Sequence, residues 1–196
     1  SDRNHHMHFG GGDERIVLGA STEVGTTSTF ALWIKRDSAG NNECILGEGD
    51  NNYYQTARIY GSDLVVRHGN ADLATFASTS LGLTDWFHIA VTRSSTTLKL
   101  YLNGAYSETE TIIGTGADTA VTAIDTIGAG QDDSSNFAGF LDEISMWDSE
   151  LTAVEVTELY NLGLDGDVNT HSANVNLQGY WKNEGYTNAD WIDRSS

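Results

Sequence analysis

Apolar and polar side chains alternate along several short segments of this chain, with turn-forming residues between them. In residues 30–35, Phe30, Leu32 and Ile34 take every second position. Side chains two residues apart share one face of a strand, so this spacing predicts a strand that turns Leu32 toward a core. Ile89 should face the same core from a strand at residues 86–92. Further strands are predicted at residues 64–66, 98–102, 105–109, 124–128, 140–147 and 177–182.

Short turns are predicted between consecutive strands. Asn103 and Gly104 tolerate the positive φ angles of a type I′ turn, which makes them the strongest hairpin signal in the chain. Ser94 and Ser95 predict a second turn one strand earlier. Because such turns join antiparallel neighbours, the sheets should be antiparallel.

One helix is predicted near the C-terminus. Thr152 and Glu155 have the spacing of a capping box, and Gly163 can end the helix. The sequence shows no parallel strand–helix–strand alternation. The fold class is therefore all-β, a two-sheet antiparallel sandwich with one short helix. The apolar face of the helix should comprise Val156, Leu159 and Tyr160.

The chain is strongly acidic, with 28 acidic and 10 basic residues and a formal net charge of −18. Nucleic acids and anionic membranes are bound by clustered Lys and Arg, so we expect no nucleic-acid partner. No apolar stretch approaches the ~20 residues of a membrane span, so we expect no membrane insertion. The charge suits an exported surface or the binding of cations.

The first eight residues contain His5, His6 and His8 and are interpreted as a linker or tag remnant, which assigns the domain to residues 9–196. Cys44 is the only cysteine, so no disulfide can form within the chain. It lies in an apolar run and is expected to be buried.

Four blocks of sequence, at residues 8–19, 85–105, 137–161 and 177–185, follow one another in a characteristic order. They include the segments DWFHIAVTRSSTTLKLYLNGA and FAGFLDEISMWDSELTAVEVTELYN. Together the blocks resemble the laminin-G-like jelly rolls of the concanavalin A-like lectin and glucanase superfamily. The resemblance implies a jelly-roll sandwich in which the strand from residue 177 pairs with the opening strand.

Residues 130–148 further resemble pentraxins, which bind calcium and, through it, their ligands. The resemblance implies that Gln131, through its carbonyl, and Asp132 bind calcium beside a partner loop at residues 41–43. Gly130 stands where the pentraxin pattern has a carboxylate, so one calcium is expected at most, and a solvated acidic loop is the alternative. Calcium prefers such hard oxygen ligands. The candidate metal residues are Asn41, Asn42, Glu43, Gln131, Asp132 and Asp133.

Aromatic residues in polar segments are candidates for sugar stacking, since sugars present apolar C–H faces. These are Tyr53, Tyr54 and Trp191, for which packing at the rim is the alternative. The tryptophans within strand patterns, Trp33, Trp86 and Trp147, should pack in the core. His88 is interpreted as a structural histidine with satisfied hydrogen bonds.

No complete catalytic motif is present in the sequence. Glu48 and Asp50 begin the Glu-x-Asp-x-Glu pattern of related glucanases, but no third acid follows. Asp142 and Glu143 are adjacent and would point to opposite faces of a regular strand. The EF-hand-like spacing that starts at Asp165 lacks the required Gly and Glu, so we interpret it as a surface loop.

These observations predict a non-catalytic, lectin-like module that binds a glycan or cell-surface ligand, with calcium as a candidate cofactor. It would belong to an extracellular, cell-surface or virion-surface protein, with neighbouring modules in a longer chain. A purely structural or adhesion module of a phage or cell-surface protein is the alternative. A glycoside hydrolase is the weakest alternative, because the acid triad is incomplete.

Overall fold

The computed structural model describes residues 6–12, 14–38, 42–47, 55–68, 71–77, 81, 85–112, 122–130 and 135–183. Within them the chain forms thirteen strands, one α-helix and two short 3₁₀-helices. The strands are β1 (Met7–Gly10), β2 (Ile16–Val24), β3 (Thr27–Arg36), β4 (Glu43–Gly47), β5 (Gln55–Tyr60), β6 (Asp63–His68), β7 (Ala71–Phe76), β8 (Phe87–Ser94), β9 (Thr97–Leu102), β10 (Ala105–Thr111), β11 (Thr122–Ile127), β12 (Ala138–Trp147) and β13 (Leu177–Trp181). The α-helix is α1 (Ala153–Leu162), and the 3₁₀-helices are Val168–Thr170 and Asn174–Asn176.

The strands form two antiparallel sheets, as the sequence predicts. The front sheet has the order β1-β12-β3-β8-β9-β10, with β13 also paired to β12, and the back sheet has the order β2-β11-β4-β5-β6-β7. The implied pairing of β13 with the opening strand is wrong. β1 pairs with the start of β12, from Ala138 to Leu141, and β13 pairs with its end, from Ile144 to Trp147. Because β3 occupies the other edge of β12, β1 and β13 share one edge.

The main core lies between the sheets. Leu32 on β3 and Ile89 on β8 are directly paired and fully buried, which confirms the predicted register. Trp181 at the end of β13 also lies in this core. Burying large apolar side chains contributes about 1.5–3 kcal/mol each, so this layer is the main source of stability.

A second, smaller core lies between α1 and the outer face of the front sheet. Ala31 and Ala90 are paired there, and their small side chains leave room for Trp147, Val156 and Leu159. The capping box is confirmed: Thr152 Oγ1 accepts from Glu155 N at 3.3 Å, and Thr152 N donates to Glu155 Oε2 at 2.7 Å. Gly163 ends the helix at a φ of 72°. No helix among the described residues is long and apolar enough to cross a membrane.

The predicted Asn-Gly hairpin joins β9 to β10, with φ angles of 50° at Asn103 and 76° at Gly104. The other turn is displaced by one residue from its prediction. It consists of Ser95 and Thr96, because Ser94 still pairs with Thr97 at the end of β8.

Several strands lack a clear signal in the sequence. All five residues of β4 are buried and its pairing is irregular, so it shows no alternation. The sequence predicts neither β5 nor β7, and the single opening block, residues 8–19, overlaps both β1 and β2. Met7 and His8 were assigned to the leading segment, but both lie within β1, where Met7 packs against the core.

Candidate functional site

The outer face of the front sheet carries polar and aromatic side chains at the edge of the area that α1 covers and beyond it. Asp142, Trp33 and His88 are paired across β12, β3 and β8 and form one row. Phe140 and Lys35 are paired two residues further along and form the next row. Because alternate residues of a strand share a face, both rows present their side chains on the same side of the sheet.

A cleft of about 350 Å³ opens over the second row, lined by His6, Lys35, Trp86 and Phe140. We call it the front cleft. The His6 ring meets the Trp86 ring edge-on, with centroids 4.6 Å apart. Lys35 Nζ lies 5.6 Å from the centroid of the Phe140 ring. The front cleft therefore combines aromatic surface with two nitrogen-bearing side chains that can form hydrogen bonds.

Asp142 holds one wall of the front cleft in place. Its Oδ2 lies 2.9 Å from His6 Nδ1, and its Oδ1 accepts from the backbone N–H groups of Glu143 at 2.9 Å and Asn183 at 3.2 Å. Burial raises the pKa of the Asp142 carboxyl group, and these hydrogen bonds oppose that rise. The sequence assigns His6 to the leading segment, yet its contact with Asp142 fixes its ring beside Trp86.

Trp33 and Trp86 are half-buried on the outer face, so their predicted place in the core is wrong; Trp147 is buried beneath α1, as predicted. The reason is the register: Trp33 alternates with Leu32 and Ile34, which take the core face. Trp33 instead stacks on Tyr160 of α1, with centroids 5.5 Å apart. The alternation of side chains separates the two faces of a strand, but it does not show whether the face that carries a tryptophan is buried in the core or partly exposed.

His88 is buried between Trp33 and Tyr160, with only 2% of its surface exposed. Burial lowers its pKa to about 3. Its Nδ1 atom is buried without a hydrogen-bond partner, so the predicted full satisfaction of this ring is wrong. A neutral, desolvated imidazole here supports the aromatic cluster and is unsuited to act as a base near neutral pH.

Glu143 lies in a bulge of β12 and has a φ of 51°. The prediction that Asp142 and Glu143 point to opposite faces assumed a regular strand, so it does not apply at this bulge. Both residues are buried. The Tyr180 hydroxyl and the Glu143 carboxyl form a hydrogen bond, and burial raises the pKa of Glu143 to about 8. These acids are engaged within the protein and fix β12 to its neighbours.

Asn42, from one of the two loops expected to share a calcium ion, contacts Ser135, which lies two residues after the other loop. Asn42 Nδ2 donates to Ser135 Oγ at 2.7 Å, and Cys44 N donates to Ser135 O at 2.8 Å. Of the candidate metal residues, only Asn42 and Glu43 are among the described residues. Those outside are Asn41, Gln131, Asp132 and Asp133, as are the candidate sugar-stacking residues Tyr53, Tyr54 and Trp191 and the acids Glu48 and Asp50.

Glu43 and Asn42, as placed, do not fit the role of calcium ligands. The Glu43 carboxylate forms a buried ion pair with Arg36, at 2.8 Å from Nε and 2.7 Å from Nη2. Asn42 Oδ1 accepts from Arg58 Nη1 at 3.4 Å, which places a cation beside it. In the part of the chain that the structure describes, no group of three or more His, Cys, Asp or Glu residues is arranged to hold a metal.

The EF-hand-like segment forms the 3₁₀-helix Val168–Thr170. Asp167 Oδ1 accepts from both Asn169 N and Asn169 Nδ2 at 3.0 Å and so caps this helix. Asp165 and Asp167 are both exposed, in agreement with the predicted surface position.

A family model described as the concanavalin A-like lectin/glucanases superfamily matches residues 10–157. No curated protein matches the chain significantly. Among solved structures, the heptameric SAP-like pentraxin from Limulus polyphemus has a TM-score of 0.67 at 14% identity, over 99% of this chain and 93% of that one. These values show a shared fold.

Two further solved structures have descriptions that mention a carbohydrate. A proposed carbohydrate-binding protein from Bacteroides ovatus has a TM-score of 0.63 at 16% identity, over 97% of this chain and 55% of that one. Domain 4 of AbnA, an extracellular GH43 arabinanase from Geobacillus stearothermophilus, was solved with arabinotriose. It has a TM-score of 0.53 at 22% identity, over 70% of this chain and 68% of that one.

Proposed function

This chain belongs to the concanavalin A-like lectin/glucanases superfamily, and we propose that it is a non-catalytic module that binds a glycan in the front cleft. The observation that carries the proposal is the convergence of Trp86 and Phe140 with Lys35 and His6 in one cleft. Small-molecule sites typically combine apolar walls with a few fixed polar groups.

The chemistry of the front cleft suits a sugar ring. The apolar C–H face of a sugar can lie on Trp86 or Phe140. Its hydroxyl groups can accept hydrogen bonds from Lys35, and they can donate to or accept from His6 according to the tautomer of the ring. Asp142 holds His6 in position, so less conformational entropy is lost when a ligand binds. The rigid front sheet would thus present a preorganised sugar site.

The experiment is a glycan array followed by calorimetry with the best neutral oligosaccharide. Trp86→Ala should weaken binding at least about tenfold, because one well-packed contact at a binding site is worth more than about 1 kcal/mol. Tyr106→Ala is the matched control, since Tyr106 is an exposed aromatic residue on β10 that does not line the front cleft. Equal affinities of the Trp86→Ala variant and the wild type would contradict the proposal.

The non-catalytic part of the proposal rests on two observations. Asp142 and Glu143 form hydrogen bonds within the protein, and the acid triad that begins at Glu48 and Asp50 is incomplete. Asp142 and Glu143 are buried and hydrogen-bonded within the protein, so neither is presented to a substrate. We expect no hydrolysis of β-glucans. Turnover that is lost in a Glu48→Gln variant would overturn this part.

Calcium dependence is a finer part of the proposal. It would rest on Asn41, Gln131, Asp132 and Asp133, because Asn42 and Glu43 already have protein partners. Its support is the hydrogen bond between Asn42 and Ser135, which lies two residues after Asp133. We also propose an extracellular, cell-surface or virion-surface location, to which the strongly acidic composition is suited. A structural or adhesion module is favoured instead if no glycan binds.

A further inference from the structure

Two arginines lie side by side on the outer face of the back sheet. Arg58 on β5 alternates with Ala57 and Ile59, which are in the core, and Arg67 on β6 follows the core residue Val66. Their side chains are only 15% and 13% exposed, so the surrounding surface restricts both. The chain has only ten basic residues, which makes this pair a local concentration of positive charge.

One carboxylate is shared between these two cations. Arg67 Nε lies 2.6 Å from Asp72 Oδ1. Arg58 Nη2 lies 3.4 and 3.5 Å from the two oxygens of Asp72, at the limit of a hydrogen bond. Asp72 is therefore bound more closely by Arg67 than by Arg58.

The guanidinium of Arg58 is poorly compensated. Its Nη1 reaches Asn42 Oδ1 at 3.4 Å, and its Nε is buried without a hydrogen-bond partner. A guanidinium has five N–H donors, and burying them without acceptors is costly. Burial lowers the pKa of Arg58, and the charge of Arg67 lowers it further. The Asp72 carboxylate opposes both effects, but from a distance of 3.4 Å.

Tyr60 adds an aromatic surface beside this cation. It is 55% exposed, and Arg58 Cζ lies 5.1 Å from the centroid of its ring. Such a cation–π contact keeps the guanidinium plane in place. An exposed ring next to an oriented guanidinium offers both an apolar surface and a set of directed donors.

We propose that Arg58 and Arg67 bind the anionic group of an acidic polysaccharide, a carboxylate or a sulfate, with Tyr60 against the sugar ring. Arginine recognises such planar or multidentate oxygen groups through paired N–H donors. The site lies on the opposite sheet from the front cleft and does not depend on it. The net charge of −18 opposes binding at long range, but salt screens charges over about 8 Å at physiological ionic strength, so the local pair dominates at contact.

The test is calorimetry of the whole chain with dextran oligomers, dextran sulfate oligomers and oligogalacturonides. Dextran and dextran sulfate share a backbone, so their comparison isolates the sulfate, while oligogalacturonides supply a carboxylate. We expect at least one acidic oligomer to bind more tightly than dextran, with an affinity that falls as salt rises.

Variants at Arg58 identify the site. Arg58→Gln should weaken acidic-oligomer binding about tenfold or more, as loss of a hydrogen bond to a charged group does. Arg58→Lys keeps the charge and the stem, which protects the fold, and should also weaken binding because lysine lacks the paired donors. Lys99→Gln is the charge-matched control, since Lys99 pairs with Glu150 elsewhere; it should change the affinity less than about twofold.

Two results would overturn the proposal: no binding of either acidic oligomer by the wild type, or equal weakening by Lys99→Gln and the Arg58 variants. Trp86→Ala separates this proposal from that for the front cleft. It should leave acidic-oligomer binding unchanged while weakening the binding of neutral glycans. A variant that loses only the binding of neutral glycans therefore tests the front cleft and not the arginine site.

Discussion

Tyr180 and Glu143 form a buried hydrogen-bonded pair that joins β13 to the bulge of β12. The same Tyr180 hydroxyl lies 3.1 Å from Gly166 O. A phenol has one proton, so it cannot donate to both oxygens at once. When Glu143 is protonated, it can donate to Tyr180, which can then donate to Gly166, and all three groups are satisfied. The geometry thus favours a protonated Glu143.

The first prediction follows from this pair. Burial raises the pKa of Glu143 from 4.5 to about 8, so the folded state retains a proton that the unfolded state releases. The resulting stability is present below pH 4.5 and is lost as the pH rises through about 8. Glu143→Gln should remove this loss and exceed the wild type in stability above pH 8 by about 1 kcal/mol or more.

The measurement is urea unfolding at pH 5, 7 and 8.5, followed by tryptophan fluorescence. Glu110→Gln on the edge strand β10 is the charge-matched control and should keep the pH dependence of the wild type. If the free energies of unfolding of Glu143→Gln and the wild type change with pH in parallel, Glu143 is not the group that causes the loss of stability.

Much of the fold follows from local sequence rules. Leu32 and Ile89 face the core because of their period of two, and Asn103 with Gly104 forms the only described two-residue turn whose residues both have positive φ. β4 was not predicted, because burial of both its faces removes the alternation on which prediction depends. Such strands are recognised only once their neighbours in the sheet are known.

The candidate site was less predictable, for a physical reason. The sequence predicts sugar-binding residues in loops, whereas the front cleft forms where strand register brings Phe140 beside Lys35 and places Trp86 nearby. Register between distant strands is set by tertiary packing and is not encoded in any single segment. The bulge at Glu143 is likewise invisible to a rule that assumes a regular strand.

The second prediction concerns Gly104, where the β9–β10 turn meets α1. A Cβ atom at this position would lie 2.9 Å from three atoms of Tyr160, and the φ is 76°. Gly104→Ala should therefore destabilise the fold by about 2–4 kcal/mol, through steric overlap as well as backbone strain. Gly61→Ala is the control: its φ is 63° but no atom lies within 4 Å of the added Cβ.

Guanidinium unfolding of both variants measures the difference. Gly61→Ala should cost only about 1 kcal/mol, from the backbone conformation alone. Similar losses in the two variants would mean that the contact between the turn and Tyr160 is not a tight one.

The third prediction concerns His88, whose pKa burial lowers from 6.5 to about 3. Between these values the unfolded state binds a proton that the folded state excludes, so stability increases as the pH rises from 3 to 6.5. His88→Phe preserves a ring between Trp33 and Tyr160 and should flatten this dependence. Thermal unfolding at pH 4 and pH 7 provides the check, and an unchanged difference between the two melting temperatures would count against it.

The last prediction concerns calcium. Because Asn42 and Glu43 have protein partners, a calcium ion would depend on the residues around Asp132, with few ligands and weak affinity, about 10⁻⁴–10⁻³ M as in extracellular modules. Calcium that binds only the folded state should raise the melting temperature, by an amount equivalent to about 2.7 kcal/mol at a hundredfold excess over the Kd. Asp132→Ala should reduce this response. Asp167→Ala is the matched control, because Asp167 caps a 3₁₀-helix and should affect stability equally with and without calcium. Identical melting curves of the wild type in millimolar calcium and in chelator would remove the metal from the proposal and leave glycan binding in the front cleft to be judged alone.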